Sequence, residues 1–289
     1  MKSGFPVYDI CKFSVSQQQD VIISQFGPYL KALQKLHFPH RHDFYHLVLF
    51  TAGGGSHSID FQNFMVQPFQ FYFMAPGQVH SWSFEGEVDG FVINFRSDFF
   101  KSFLLNPDYL EQFPFLSGNV NHSVIEIPVD SRALLTGLLN RAVMESENKR
   151  PFRVDTIRVM LLQLFFLIGE ISTSEKDQAL ESPKNILLRR FEKLIEHHYL
   201  ELRRPGQYAD ILCVTPNYLN AICNDVLGTS AGDIIRNRIV LEAKRKLINL
   251  NITVTEIAYS LNFEDNSYFC KFFKKQTGLS PDSFRRAIH

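Results

Sequence analysis

Cysteine is scarce in this sequence: the four present are Cys11, Cys213, Cys223 and Cys270, and no two form a CxxC pair. That spacing argues against a cysteine zinc site or a disulfide framework and suits a reducing cytoplasm. Long apolar runs are missing too. The longest, residues 159–168, is ten residues with Gln163 inside it, short of the roughly 20 needed to span a bilayer. Lys2 is followed by Phe5-Pro6-Val7-Tyr8-Asp9, which lacks the apolar core of a signal peptide. No nucleophile–base motif, phosphate loop or carboxylate pair has a spacing that identifies catalysis, so the expectation is that the chain is not an enzyme. Wholesale disorder is excluded by 45% apolar and 21% charged residues over 289 positions, enough chain for two domains with cores.

Net charge is zero, but unevenly spread. Residues 1–182 carry 14 Lys+Arg against 19 Asp+Glu, a balance of −5, and residues 183–289 carry 16 against 11, a balance of +5. An acidic half joined to a basic one suggests that the second half meets a polyanion.

Three stretches follow from periodicity. Residues 5–130 read as short strands (47–50, 69–74, 91–95) with Gly53-Gly54-Gly55 and Pro76-Gly77 as turns, the pattern of a small barrel or sandwich. Phe69, Phe71 and Phe73 alternate as a core face. Residues 131–173 shift to helical spacing, through Leu134, Leu135, Leu138 and Leu139 and then Ile157, Leu161, Leu164 and Phe165, with Pro151 between two helices. With Phe166, Leu167 and Ile168 they offer more apolar surface than one barrel needs, so this stretch is expected to dimerise the chain. Residues 174–184 read as a polar linker, and 185–289 as short helices. The expected domains are therefore 1–173, a linker at 174–184, and 185–289.

The last stretch contains a repeat. Residues 216–228, PNYLNAICNDVLG, and 266–278, NSYFCKFFKKQTG, align at an offset of 50. Leu219, Ile222, Cys223 and Val226, like Phe269, Phe272, Phe273 and Gln276, fall at i, i+3, i+4 and i+7 and predict an inward face. Gly228 and Gly278 suit left-handed helix terminators. Thr215 and Asp265 suit N-caps, as do Ser230 and Ser280 after each copy. A short helix precedes each copy, residues 207–213 and one opened by the capping-box sequence Thr253-Val254-Thr255-Glu256. Asn262 is placed to take the left-handed turn between helices, and Ala209 and Ala258 let the pairs approach closely. Each unit is a helix-turn-helix, and residues 231–249 predict one connecting helix of about 28 Å.

These residues resemble the signature of AraC-type transcription regulators. The second unit carries it through residues 253–258 and 263–269, Phe273-Lys274-Lys275, Gly278, Ser280-Pro281 and Arg285-Arg286. The first matches through Ala209, Tyr218-Leu219, Gly228, Arg238, Ala243 and Leu247. His40-Arg41-His42, Gly53 and Pro76-Gly77-Gln78-Val79-His80 resemble the family's cupin-like sensor. There are departures: Asn262 stands where Gly is usual, and Ala221 where Arg is frequent. The resemblance implies a two-domain α+β protein, with an N-terminal cupin-like β-barrel and accessory helices followed by an all-α domain of two helix-turn-helix units. It implies promoter DNA, a homodimer, RNA polymerase and a small-molecule effector as partners, the effector often carbohydrate-like, and no cofactor.

Outward spacing, matched to the family's base-reading positions, predicts DNA contacts at Asn217, Asn220, Ala221, Asn224, Ser267, Cys270, Lys271, Lys274 and Lys275. Asn can bond an adenine edge twice and Lys can reach guanine N7 and O6. The second unit, with three lysines, is expected to bind more strongly than the first, whose asparagines stand beside Asp225. For the sensor, Arg41, Tyr45, His46, His80 and Trp82 offer apolar faces with polar tips suited to a sugar or small organic acid. His40, His42, His46 and His80 also follow metal-cupin spacing, which makes a metal-dependent cupin enzyme the rival reading. His46 replaces the usual Glu, and Phe84 the Asn expected four positions after His80, so no metal is expected. His37, His57 and His122 read as surface residues.

Overall fold

The structure, a computed structural model, describes residues 7–10, 20–32, 39–106, 109–172 and 182–288. They form two compact units, within 6–174 and 175–289. The predicted linker falls largely on 173–181, outside the described residues. Ser182 caps the next helix from its N-terminal side, accepting a hydrogen bond from Asn185 N, so the helix begins inside that stretch.

The N-terminal unit is built on β1 (Val7–Tyr8), β2 (Val21–Gln25), β3 (His40–His42), β4 (Tyr45–Ile59), β5 (Gln62–Met65), β6 (Gln70–Met74), β7 (Val79–Phe95) and β8 (Val124–Glu126). Among the described residues these make one eight-stranded sheet in the order β1-β3-β7-β4-β6-β8, with β2 on β7 and β5 on β4. Pairing is antiparallel except between β1 and β3.

Two long strands, β4 and β7, determine the shape. Gly53-Gly54-Gly55, expected as a turn, lies inside β4 instead, where the register with β7 shifts twice between Phe50 and Gly54. Gly53 and Gly55 have φ of 106° and 109°, and a Cβ on Gly55 would collide with the Ser83 carbonyl. Bulges of this kind bend a strand. From His46 to Ile59 a straight strand would run about 43 Å. Yet His80, in register with Ile59, has its ring 5.3 Å from that of His46. The β4–β7 pair therefore folds over and encloses an inner face.

Each side of the sheet has its own core. Outward, Leu47, Leu49, Phe71, Phe73, Phe91, Ile93 and Phe95 pack with Leu135, Leu139, Ile157, Leu161, Leu164 and Phe165 of α2 (Val129–Glu147) and α3 (Arg153–Ser172). Inward, Val48, Phe50, Ile59, Tyr72, Trp82 and Val92 pack with Phe26 and Tyr29 of α1 (Phe26–Ala32).

The C-terminal unit is all helical: α4 (Pro183–His198), α5 (Pro205–Ile211), α6 (Pro216–Leu227), α7 (Ala231–Leu247), α8 (Val254–Ser260), α9 (Asn266–Thr277) and α10 (Pro281–Ile288). One core runs through α4 to α9, with Phe284 of α10 packed against it, and is centred on α7, whose Ile235, Ile239, Ala243 and Leu247 are buried against both repeats. At 17 residues α7 is about 26 Å long.

Candidate functional site

Local sequence builds the two helix-turn-helix units almost identically. Val214 N donates to Ala209 O at 3.0 Å, and Phe263 N to Ala258 O at 3.0 Å. The turns pass through Cys213 (φ 56°) and Asn262 (φ 58°). Asn262 suits that left-handed conformation; Cys213 adopts it without glycine's freedom. Thr215 Oγ1 accepts from Tyr218 N at 3.2 Å, and the Asp265 carboxylate accepts from Ser267 N and Tyr268 N at 3.1 and 3.0 Å. Gly228 and Gly278 terminate α6 and α9 at φ 65° and 80°.

Of the predicted DNA-reading residues, Asn217, Ala221, Asn224, Ser267, Lys271, Lys274 and Lys275 are exposed on α6 and α9. Two are not fully outward. Asn220 is half-buried, its Oδ1 accepting from Ala231 N at 3.1 Å, so it ties α6 to the start of α7. Its counterpart Cys270 is half-buried against the core. Val226, predicted inward, is 41% exposed, because Leu219, Ile222 and Cys223 already fill the contact. Asp225 is paired with Lys184 Nζ at 2.6 Å, which holds its carboxyl below the usual range and offsets its charge. Tyr218 and Tyr268, which recur at the repeat offset, are 48% and 63% exposed near the starts of α6 and α9.

Several arginines brace this unit internally. Arg238 meets Glu196 and Glu242 and lies 4.1 Å from the Tyr199 ring centroid. Arg285 donates to Leu247 O and Ile252 O at 3.0 and 2.7 Å. Arg203 donates to the Leu261 and Asn262 carbonyls and lies over Phe263, joining the approach to α5 to the second turn.

On the inner face of the N-terminal sheet, five histidines are buried together: His40, His42, His46, His57 and His80. Ring centroids lie 4.3 Å apart for His40–His80, 4.8 Å for His40–His42 and 4.9 Å for both His42–His80 and His42–His46. His80 is central: its Nε2 is 2.9 Å from His42 Nε2 and its Nδ1 is 3.1 Å from His57 Nε2. His46 Nδ1 lies 2.6 Å from Asn94 Oδ1, and Asn94 Nδ2 donates to Tyr29 Oη. Burial first, then the other histidines, holds His42, His57 and His80 well below the usual imidazole pKa. Burial pushes His46 down to about 3 against the opposing bond to Asn94.

The predicted effector residues divide. His46, His80 and Trp82 meet here. Tyr45 faces the opposite side of the sheet, stacked on Phe95 at 4.8 Å. Arg41 lies between His40 and His42 on β3, where strand alternation turns it away. Its place is taken by residues not foreseen, Asn94, Tyr29, Tyr72 and above all His57, which was expected at the surface but is fully buried. His122 is exposed as expected, and His37 lies outside the described residues.

Known proteins fit this division. A family model described as an AraC-like ligand binding domain matches residues 23–162, and a helix-turn-helix domain model matches 208–287. The HTH-type transcriptional activator RhaS of Escherichia coli O81 (strain ED1a) is 24% identical over 261 residues, 88% of this chain and 90% of that protein. The activator RhaR of Shigella flexneri serotype 5b is 21% identical over 276 residues, 94% of each. The uncharacterized HTH-type transcriptional regulator YijO of Escherichia coli K12 is 24% identical over 157 residues, and the match spans about half of each chain, 54% and 53%. Among solved structures, ToxT from Vibrio cholerae aligns over 92% of this chain and 97% of its own at 12% identity and a TM-score of 0.44. The C-terminal domain of AraT from Geobacillus stearothermophilus covers 37% of this chain and 88% of its own, at 28% identity and a TM-score of 0.34.

Proposed function

Because this chain belongs to the AraC-type transcriptional regulators, we propose that it binds promoter DNA through α6 and α9 and adjusts that binding to a small molecule met by its N-terminal unit. The observation that carries the reading is the duplicated, N-capped helix-turn-helix pair with exposed outer faces, joined by a helix of about 26 Å. One DNA turn is about 34 Å, so a connector of this size suits two reading helices in successive major-groove segments on one side of a duplex. Asn217 and Lys271 are the base readers in this reading. Lys274 and Lys275 hold phosphates, with the helix N-termini adding sequence-neutral anchors.

The finer parts of the reading are a sugar or small organic acid as effector, a homodimer, activation through RNA polymerase, a cytoplasmic location and no catalytic activity. The names of RhaS and RhaR as activators support activation. An effector acts only if it binds two states of the regulator unequally. The test is selection of bound duplexes from a random pool by the full chain, then titration of a selected and a scrambled duplex. A preference of at least about 1,000-fold is expected for a specific regulator; equal affinities would defeat the reading. A thermal-shift screen of sugars and organic acids then identifies the effector class by mass action.

A further inference from the structure

Five imidazoles on one buried face need a chemical reason. Aliphatic side chains would fill the space without buried polar nitrogens, and an orphaned buried polar group costs about 1–3 kcal/mol. His46 Nε2 and His57 Nδ1 are both buried without a hydrogen-bond partner. The contact to Asn94 Oδ1 places the His46 proton on Nδ1, which leaves the lone pair on that partnerless Nε2. Donor nitrogens of His40, His42 and His80 all lie within 4.8 Å of one another. The 2.9 Å between His42 and His80 Nε2 is a hydrogen-bond distance, and it is within about 0.5 Å of the roughly 3.3 Å that separates two nitrogens held tetrahedrally at about 2.05 Å from one ion.

We propose that His40, His42 and His80 bind one divalent late-transition-metal ion, with His46 adding a fourth nitrogen and His57 orienting His80. This goes beyond the regulatory reading and does not depend on DNA binding. The missing Glu and Asn of the metal-cupin pattern, from which no metal is expected, leave histidines to satisfy an ion, which selects the ion rather than excluding it, and His57, expected at the surface, is buried beside His80. The charges acting on His42, His46, His57 and His80 come from other histidines. An all-imidazole set suits zinc, nickel or copper and disfavours magnesium and calcium, which require oxygen. His57 has the outer-sphere role of a metal site. When His80 Nε2 offers its lone pair to the ion, its Nδ1–H points to His57 Nε2, 3.1 Å away.

The test uses the untagged full chain, stripped with chelator and dialysed, then titrated with Zn2+ against a chromophoric competitor and with Co2+ followed by its visible bands. One equivalent per chain is expected, with the visible spectrum of protein-bound cobalt. His80→Gln should abolish it. His57→Phe should weaken affinity on the order of 10–100-fold, while His57→Gln, whose amide oxygen still accepts from His80 Nδ1–H, should recover most of the loss. A purely structural His57 would not give that rescue. Replacing the exposed pair His197 and His198 by Gln should change nothing. Substoichiometric binding by the wild-type chain, or loss of binding on replacing His197 and His198, would overturn the proposal.

Discussion

Burying histidines neutral ties the N-terminal unit to pH with a definite sign. For His42, His46, His57 and His80 the folded pKa is lowered from 6.5. Above about 6.5 neither state holds the extra proton, and stability is complete. As pH falls below it the unfolded chain takes up protons that the fold refuses, at about 1.4 kcal/mol per pH unit for each histidine, until the folded pKa is reached. The metal-free chain should therefore lose melting temperature steeply between pH 7 and 5. His57→Phe should show a shallower slope by about one proton, and His122→Gln an unchanged one; a flat wild-type profile would contradict the burial. His57 escaped the sequence because of the bulges in β4. Before them the inner residues are even-numbered, His46, Val48 and Phe50; after them they are odd, His57 and Ile59. Alternation carried across Gly53–Gly55 puts His57 on the wrong face. A second residue-scale test concerns Cys213, a non-glycine at φ 56°. Cys213→Gly should stabilise the C-terminal unit by about 1 kcal/mol, read as a rise in its melting temperature; a fall would mean that the thiol packs usefully.

At the scale of elements, caps and inner faces were the legible part. Gly228, Gly278, Asp265, Thr215 and the Thr253/Glu256 box all occupy their predicted places, because each rests on bonds within a few residues. Contacts from farther along the chain were not legible: Asn220 to Ala231, and Asp225 to Lys184. They alter the expected DNA response. Asn220→Ala removes a bond at the start of α7 and should destabilise the unit, so its effect on DNA cannot be read as base recognition alone; Asn217→Ala is the cleaner substitution. Lys184→Ala frees the Asp225 charge on α6 and should weaken binding to all duplexes. Lys271→Ala is expected to cost about 1–3 kcal/mol on a selected duplex and relax preference at one base. Lys274→Ala should weaken all duplexes alike and reduce the salt slope by roughly 0.9. Titrations at two salt concentrations separate these outcomes. Equal weakening of selected and scrambled duplexes by Lys271→Ala would reduce it to a phosphate contact.

For the whole molecule, the question is how many chains act together. The apolar surplus of 131–173 was the reason to expect a dimer, but Ile157, Leu161, Leu164, Phe165 and Ile168 are all buried against the sheet. Periodicity marks a residue as apolar-facing without saying whether a sheet or another chain covers it, which is why the sequence could not separate the two. What remains is an exposed set: Val154, Val159 and Phe166 on α3, at 37%, 54% and 46% exposure, and Val129, Leu134 and Met144 on α2, at 72%, 56% and 68%. Beside them a groove of about 380 Å³ runs between α2 and α3, lined by Leu138, Arg141, Asp155, Val159, Met160 and Gln163. If two chains associate, this is the surface with unspent apolar area, and Phe166 is its largest side chain. Sedimentation of the full chain at micromolar concentration should then give a dimer, and Val159→Asp/Phe166→Asp a monomer with an unchanged far-ultraviolet spectrum. DNA affinity for a paired site should fall with the dimer, because joining two modules makes the second contact intramolecular, an advantage of about 100-fold or more. Affinity for a single half-site should not change. A wild-type chain that sediments as a monomer, or a double variant that keeps its paired-site affinity, would show that this surface does not join chains.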